Sequence, residues 1–198
     1  MKKILALLLS LMLLLPAIAL GEAASNPDVY AVEFDDFTIT MNATDALQKG
    51  EKANGQVLFM LYPDYDETAT MHPTMHPNIN GVWTSEDVSD MGNVTPTDFG
   101  NLVLQQSVQG LAAQGVAVSN EALLAAERDE ETGSMTLIMS YDADYTAVGL
   151  DLKVTLYMMQ LYVPLGGDTG SYIFTLTGSS MEDVDALLNK LDAIEFKE

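Results

Sequence analysis

Met71-His72-Pro73 and Met75-His76-Pro77 place the chain's 2 histidines in two copies of one tripeptide. A thioether beside an imidazole is a ligand set that suits copper. The prolines forbid a helix, however, so the spacing does not bring both rings onto one face. A short duplication within a loop accounts for the pattern equally well. Carboxylates form the second group of candidates: Asp64, Asp66 and Glu67; the run from Glu127 to Glu131; and Asp142 with Asp144. Calcium wants about six to eight oxygens. Asp142-Ala143-Asp144-Tyr145-Thr146 offers alternating oxygens but lacks the glycine and the later glutamate of a calcium hand. With 29 Asp+Glu in the chain such spacings arise by chance, and solvated loop charge is the plainer account. Tyr157, Met158, Met159 and Tyr162 form a third group. They could make an adaptable binding surface, but their period of two reads first as sheet packing.

Other chemistries find no residues to carry them. The chain has 0 Cys, which removes disulfides, thiolate metal sites and thiol nucleophiles. No nucleophile elbow, phosphate-binding loop or dinucleotide fingerprint is present. Gly166-Gly167-Asp168-Thr169-Gly170 lies between two strand patterns and reads as a turn, not a phosphate cradle. Paired carboxylates could serve a glycosidase, yet nothing marks out one pair. The reading therefore assigns no catalytic residue, no cofactor and no metal ligand. There are 8 Lys+Arg against 29 Asp+Glu, a net charge of -21. That leaves no basic footprint for nucleic acid, and anionic lipid headgroups should repel the chain.

The elements that must position any site begin after an address. Met1-Lys2-Lys3 is a basic start, Ile4 to Leu15 an apolar run, and Ala17-Ile18-Ala19 and Gly21-Glu22-Ala23 offer small residues for cleavage. This is an export signal over residues 1–23, cleaved after Ala23 or, alternatively, Ala19. The apolar run is short for a membrane span, which needs about 20 residues, so no membrane insertion is expected once it is removed. Cleavage after Ala23 leaves 6 basic and 28 acidic residues, a net charge of -22.

Residues 24–198 read as one domain. Tyr30–Phe34 and Phe37–Met41 alternate about Asp35-Asp36 and predict a hairpin. Asn42 to Asn54 reads as a loop with one helical turn, and Gln56–Tyr62 as a central strand covered on both faces. Asn78–Thr84 is the next strand, with Trp83 partly in the core. Thr95, Pro96 and Asp98 mark a helix start. That helix should run to Gln114 with Gly115 beyond it, and Leu104, Val108, Leu111 and Ala112 should share its inner face. Val116–Val118 is a short strand and Ala122–Ala126 is ambiguous. Met135–Tyr141 is a strand and Asp142–Gly149 a loop. From Leu152 to Val163 the chain predicts a long strand, with Leu152, Val154, Leu156 and Met158 on one face and Tyr157, Met159, Leu161 and Val163 on the other. Tyr172–Thr177 pairs back onto it. Ser179 and Glu182 cap a last helix whose stripe is Val184, Leu187, Leu188 and Leu191. Ala193–Phe196 finishes against the core. The order predicts an α+β single-domain sandwich, a largely antiparallel sheet flanked by helices.

Four stretches carry a resemblance: Phe37–Met41, Asn78–Trp83 before the long helix, Gly170–Thr177, and Leu191–Phe196 after the last helix. Together they resemble the PsbP-like (Mog/PsbP) fold family in its exported bacterial forms, over about Val29 to Phe196. The resemblance implies an antiparallel sheet flanked by helices and a non-enzymatic accessory or binding role. No functional residue transfers, because the likeness lies in order and texture. The expected function is a secreted, non-catalytic domain that binds a protein partner in the envelope or outside the cell. Cation or small-ligand binding, with weak divalent cation binding at the acidic loops, is the alternative. A carboxylate-dependent secreted hydrolase is the third reading.

Overall fold

The computed structural model describes residues 29–65, 76–89, 94–166 and 169–197. The export signal, Asp66, Glu67 and His72 lie outside the described residues. Two sheets and two α-helices are formed by the rest. β1 (Val29–Glu33), β2 (Phe37–Asn42) and β10 (Ile194–Phe196) make a three-stranded sheet in the order β1-β2-β10. The larger sheet takes β3 (Ala46–Lys49), β4 (Val57–Tyr62), β5 (Asn78–Thr84), β6 (Ala117–Arg128), β7 (Met135–Asp144), β8 (Lys153–Pro164) and β9 (Ser171–Gly178). Its order is β3-β4-β5-β9-β8-β7-β6, and every pairing in both sheets is antiparallel. The helices are α1 (Pro96–Ala113) and α2 (Met181–Leu191).

These elements stack as three layers on two cores. α1 covers one face of the large sheet. Phe99, Val103, Leu104 and Leu111 pack there against Leu137, Met139, Leu156, Met158 and Ile173. On the opposite face the small sheet and α2 bury Phe37, Ile39, Met41, Val184 and Leu187 against Phe59, Leu61, Ile79, Tyr172, Phe174 and Leu176. β9 is the fourth of seven strands and its alternate residues serve both cores, which is why it is buried almost throughout. The predicted faces of β8 hold: Leu152, Val154, Leu156 and Met158 join the α1 core, while Tyr157, Met159, Leu161 and Val163 join the other.

Local chemistry explains most boundaries. Thr95 Oγ1 accepts from the Asp98 N–H at 3.1 Å and donates to the Asp98 carboxylate at 2.7 Å. Gly115 follows the helix at φ 85°, a left-handed turn that suits glycine. The inner face of α1 differs from the predicted one. Gly100, Val103, Ser107 and Gly110 are buried and Ala112 is exposed. Gly100 explains the shift, because a Cβ there would meet the Leu123 side chain at 2.8 Å, so the helix sits down on β6 along its small residues.

Further expectations are corrected. Ala46–Lys49 is a strand, not a loop, held at the sheet edge by antiparallel pairing to β4. β4 is apolar on both faces as expected, but Met60 and Tyr62 on its α1 side are only half-buried. Val116–Val118 and Ala122–Ala126 belong to one run, since β6 is a single strand bent by two register shifts, with Asn120 at φ 53° in the first. Asp142 and Asp144 end β7 and are not in a loop, and only Thr146–Val148 behind them forms a 3-10 turn. Finally, the α2 cap is Ser180. Its hydroxyl accepts from the Asp183 N–H, and the Asp183 carboxylate accepts from the Ser180 N–H, both at 3.1 Å. Leu188 of the expected apolar stripe points outward, 39% exposed.

Candidate functional site

Basic side chains are scarce, and three of the six described ones, Lys49, Lys52 and Lys197, gather at the seam between the two sheets. The β1–β2 turn brings Asp35 and Asp36 there. β9 supplies Tyr172, β5 supplies Trp83, and the segment after β3 supplies Gly50, Glu51 and Lys52. Asp36 accepts hydrogen bonds from both the Tyr172 hydroxyl and the Lys52 ammonium. Lys52 Nζ also lies 5.0 Å from the Trp83 ring centroid and 5.8 Å from that of Tyr172. Lys197 pairs with Glu33 at 2.8 Å and donates to the Phe34 carbonyl at 2.6 Å. Below lies an aromatic floor. Phe37 is 4.6 Å from Phe34, 5.3 Å from Tyr172 and 5.7 Å from Phe196 between ring centroids.

A cleft of about 220 Å³ opens over this seam, lined by Phe34, Asp35, Lys49, Glu51, Leu58 and Tyr172 among others. Lys49 Nζ donates to the Glu33 carbonyl and stands 4.4 Å over the Phe34 ring.

Electrostatics at the seam run away from neutrality. The Lys52 and Tyr172 hydrogen bonds hold the Asp36 carboxyl below its ordinary value. Burial first, then the Asp36 contact, pushes the Tyr172 phenol up. General acids and bases work best with values near the operating pH, and both groups have moved the other way. Asp36 is held charged and Tyr172 neutral, and the pair clamps the β1–β2 turn onto β9. Because the folded-state value of Asp36 is depressed, its contribution is present above the ordinary carboxylate range and is lost as pH falls through the lowered value. Replacing Asp36 by asparagine should therefore narrow the difference in melting temperature between pH 7 and pH 3. A pH profile identical to the parent's would contradict the clamp.

The acidic candidates are placed elsewhere. Asp142 accepts from Asn120 Nδ2 and from Thr155 Oγ1, each at 2.6 Å, tying β6, β7 and β8 together. Asp144 pairs with Lys153 at 2.8 Å and accepts from the Thr146 N–H at 2.9 Å. The Lys153 bond, then those from Thr146, lower its carboxyl to about 2. The two residues share a shallow cavity of about 380 Å³ with Ser119 and Lys153. Asp64 accepts from Thr44 Oγ1 at 2.8 Å. Asp129 caps its own turn through the Glu131 N–H at 2.8 Å. His76 lies tilted against Tyr65, with 5.1 Å between ring centroids, and His72 lies outside the described residues. Among the described residues, no three His, Asp or Glu side chains gather as a metal site would need. Met158, Met159 and Tyr162 are core, and Tyr157 is half-buried. The seam was missed by sequence reasoning. The one available signal was the clustering of Lys49 and Lys52 in a chain so poor in cations.

A second surface is left open by the layering. The small sheet and α2 cover β4, β5, β9 and most of β8 and reach β7 at Ile138, while no described residue of β6 joins their core. β7 alternates strictly: Met135, Leu137, Met139, Tyr141 and Ala143 are buried under α1, while Thr136, Ile138, Ser140, Asp142 and Asp144 are half-exposed. Ala125 lies opposite Ile138 on β6, and Leu124 beside it is 50% exposed. Among the described residues, no helix is long and apolar enough to cross a membrane.

No protein-family model matches the chain, and no curated protein matches it by sequence. Solved structures do. Cyanobacterial PsbP (CyanoP) from Synechocystis sp. PCC 6803 superposes with a TM-score of 0.51 at 14% identity, over 92% of this chain and 98% of that one. The Saccharomyces cerevisiae Ran-binding protein Mog1p gives a TM-score of 0.43 at 11% identity, over 83% and 85% of the two chains. The antiparallel α+β sandwich described above is the PsbP-like fold.

Proposed function

We propose that this chain is an exported, non-catalytic binding domain that docks a protein partner in the cell envelope or outside it through the open face of β6, β7 and the start of β8. The observation that carries the reading is the strict alternation of β7, one side sealed by α1 and the other half-exposed. Antiparallel sheets commonly leave one face to water. This one departs from a plain solvated face, because Leu124 stands 50% exposed on β6. Glu127, Asp142 and Asp144 rim it with negative charge, against the single cation Lys153. A complementary partner presents an apolar centre within a basic rim, since opposed charges set register and speed encounter. The non-enzymatic role implied by the PsbP-like resemblance supports the reading. Export rests on the basic, apolar and small-residue succession of residues 1–23.

Fractionation of the producing cells tests both halves. The expected result is a polypeptide beginning at Ala24, recovered outside the cytoplasm in complex and released from it by about 0.5 M salt, where screening shortens to a few ångströms. An intact chain beginning at Met1 in the cytoplasm would overturn the assignment.

A further inference from the structure

The seam cleft holds charges that the protein itself leaves uncommitted. Asp36, Lys52 and Tyr172 satisfy one another, and Lys197 is paired with Glu33. Lys49 is different. Among the described residues no carboxylate lies within 4 Å of its ammonium, although 29 Asp+Glu crowd the chain. Its ammonium meets one backbone carbonyl and the Phe34 ring, and feels the Glu33 carboxylate only at a distance, so donor capacity remains on the nitrogen. Asp35 and Glu51 also line the cleft as exposed side chains. The wall is held open by backbone: Gly50 donates to the Leu58 carbonyl at 2.7 Å, and a Cβ at Gly50 would meet the Val57 carbonyl oxygen at 2.4 Å.

We propose that this cleft binds a small zwitterion with the charge pattern of a free α-amino acid. The ligand's carboxylate is received by Lys49 and its ammonium by Asp35 and Glu51. The net charge of the protein argues for this class over a simple anion. A chain of -21 repels free anions on approach, whereas a zwitterion carries no net charge and satisfies both signs at the rim. A volume of about 220 Å³ admits one such molecule of small side chain, resting on the narrow exposed edges of Phe34 and Leu58. The site is separate from the open face of β6, β7 and the start of β8.

Calorimetric titration of the purified protein with glycine, leucine, glutamate and lysine is the test, with acetate and ethylamine as half-ligands. The expected result is saturable binding of at least one amino acid and none of either half-ligand. Lys49→Gln should weaken that binding by about ten- to a hundredfold, the worth of a charge-assisted hydrogen bond. Glu51→Gln should weaken it as well, and the distant Lys153→Gln should not. Melting curves of each variant would confirm that these exposed substitutions leave the fold intact. Absence of saturable heat for all four amino acids overturns the proposal. So does equal affinity in Lys49→Gln, or binding of acetate alone as tight as that of the amino acid.

Discussion

An Asp45→Ala variant is expected to lose about 3–5 kcal/mol of stability. The Asp45 side chain is fully buried, and it meets Lys190 of α2 at 2.7 Å. It also accepts from the Asn42 N–H at 2.8 Å and the Asp64 N–H at 3.1 Å. One carboxylate thereby closes the β2–β3 turn, fixes the end of β4 and docks α2. Removing it strands an ammonium that is only 18% exposed and two backbone donors. Such a loss lowers the melting temperature by roughly 10 °C in a domain of this size. The pair can be separated from the backbone bonds by a second variant. Asp45→Ala with Lys190→Met should recover the part due to the stranded charge, since replacing both ions by apolar groups is close to neutral, and should keep the part due to the two N–H groups. If the single and double variants melt together, the ion pair contributes nothing and the docking of α2 rests on Val184 and Leu187 alone.

Phe37→Ala should be comparably severe, at about 3–5 kcal/mol. Phe37 is fully buried at the centre of the seam and contacts the rings of Phe34, Phe59, Tyr172 and Phe196. Its deletion opens a cavity between the two sheets that the stiff β strands cannot close. Denaturant unfolding reads the loss directly. Amide exchange should localise it, with protection falling first in β1, β2 and β10. A cost below about 1 kcal/mol would show that the small sheet is held by its edges and not by this ring cluster.

The residues also show why some of this architecture could be read from the chain and some could not. Thr95, Pro96, Asp98 and Gly115 are local signals, and α1 begins and ends where they say. From Leu156 onward β8 is apolar on both faces because each meets its own core. Ala46-Leu47-Gln48-Lys49 carries no such signal. It has no β-branched residue, and its strand exists only because β4 lies beside it. Ser179 and Ser180 are equivalent as caps in sequence, and the choice falls to Ser180 because Asp183 reaches back to it. The inner face of α1 turned toward Gly100 and Gly110, positions that a hydrophobic wheel undervalues because they invite contact by lacking a side chain. The seam is the least legible part. Tyr172 and Asp36 stand 136 residues apart, and their meeting depends on two sheets closing over Phe37.

If this domain meets its partner through β6, β7 and the start of β8, a photoreactive residue placed at Leu124, 50% exposed on β6, should give a discrete protein adduct in the producing cells that weakens with rising salt, and one placed at Asn101 on the exposed side of α1 should give none. Adducts of equal yield from both positions, or from position 101 alone, would contradict it.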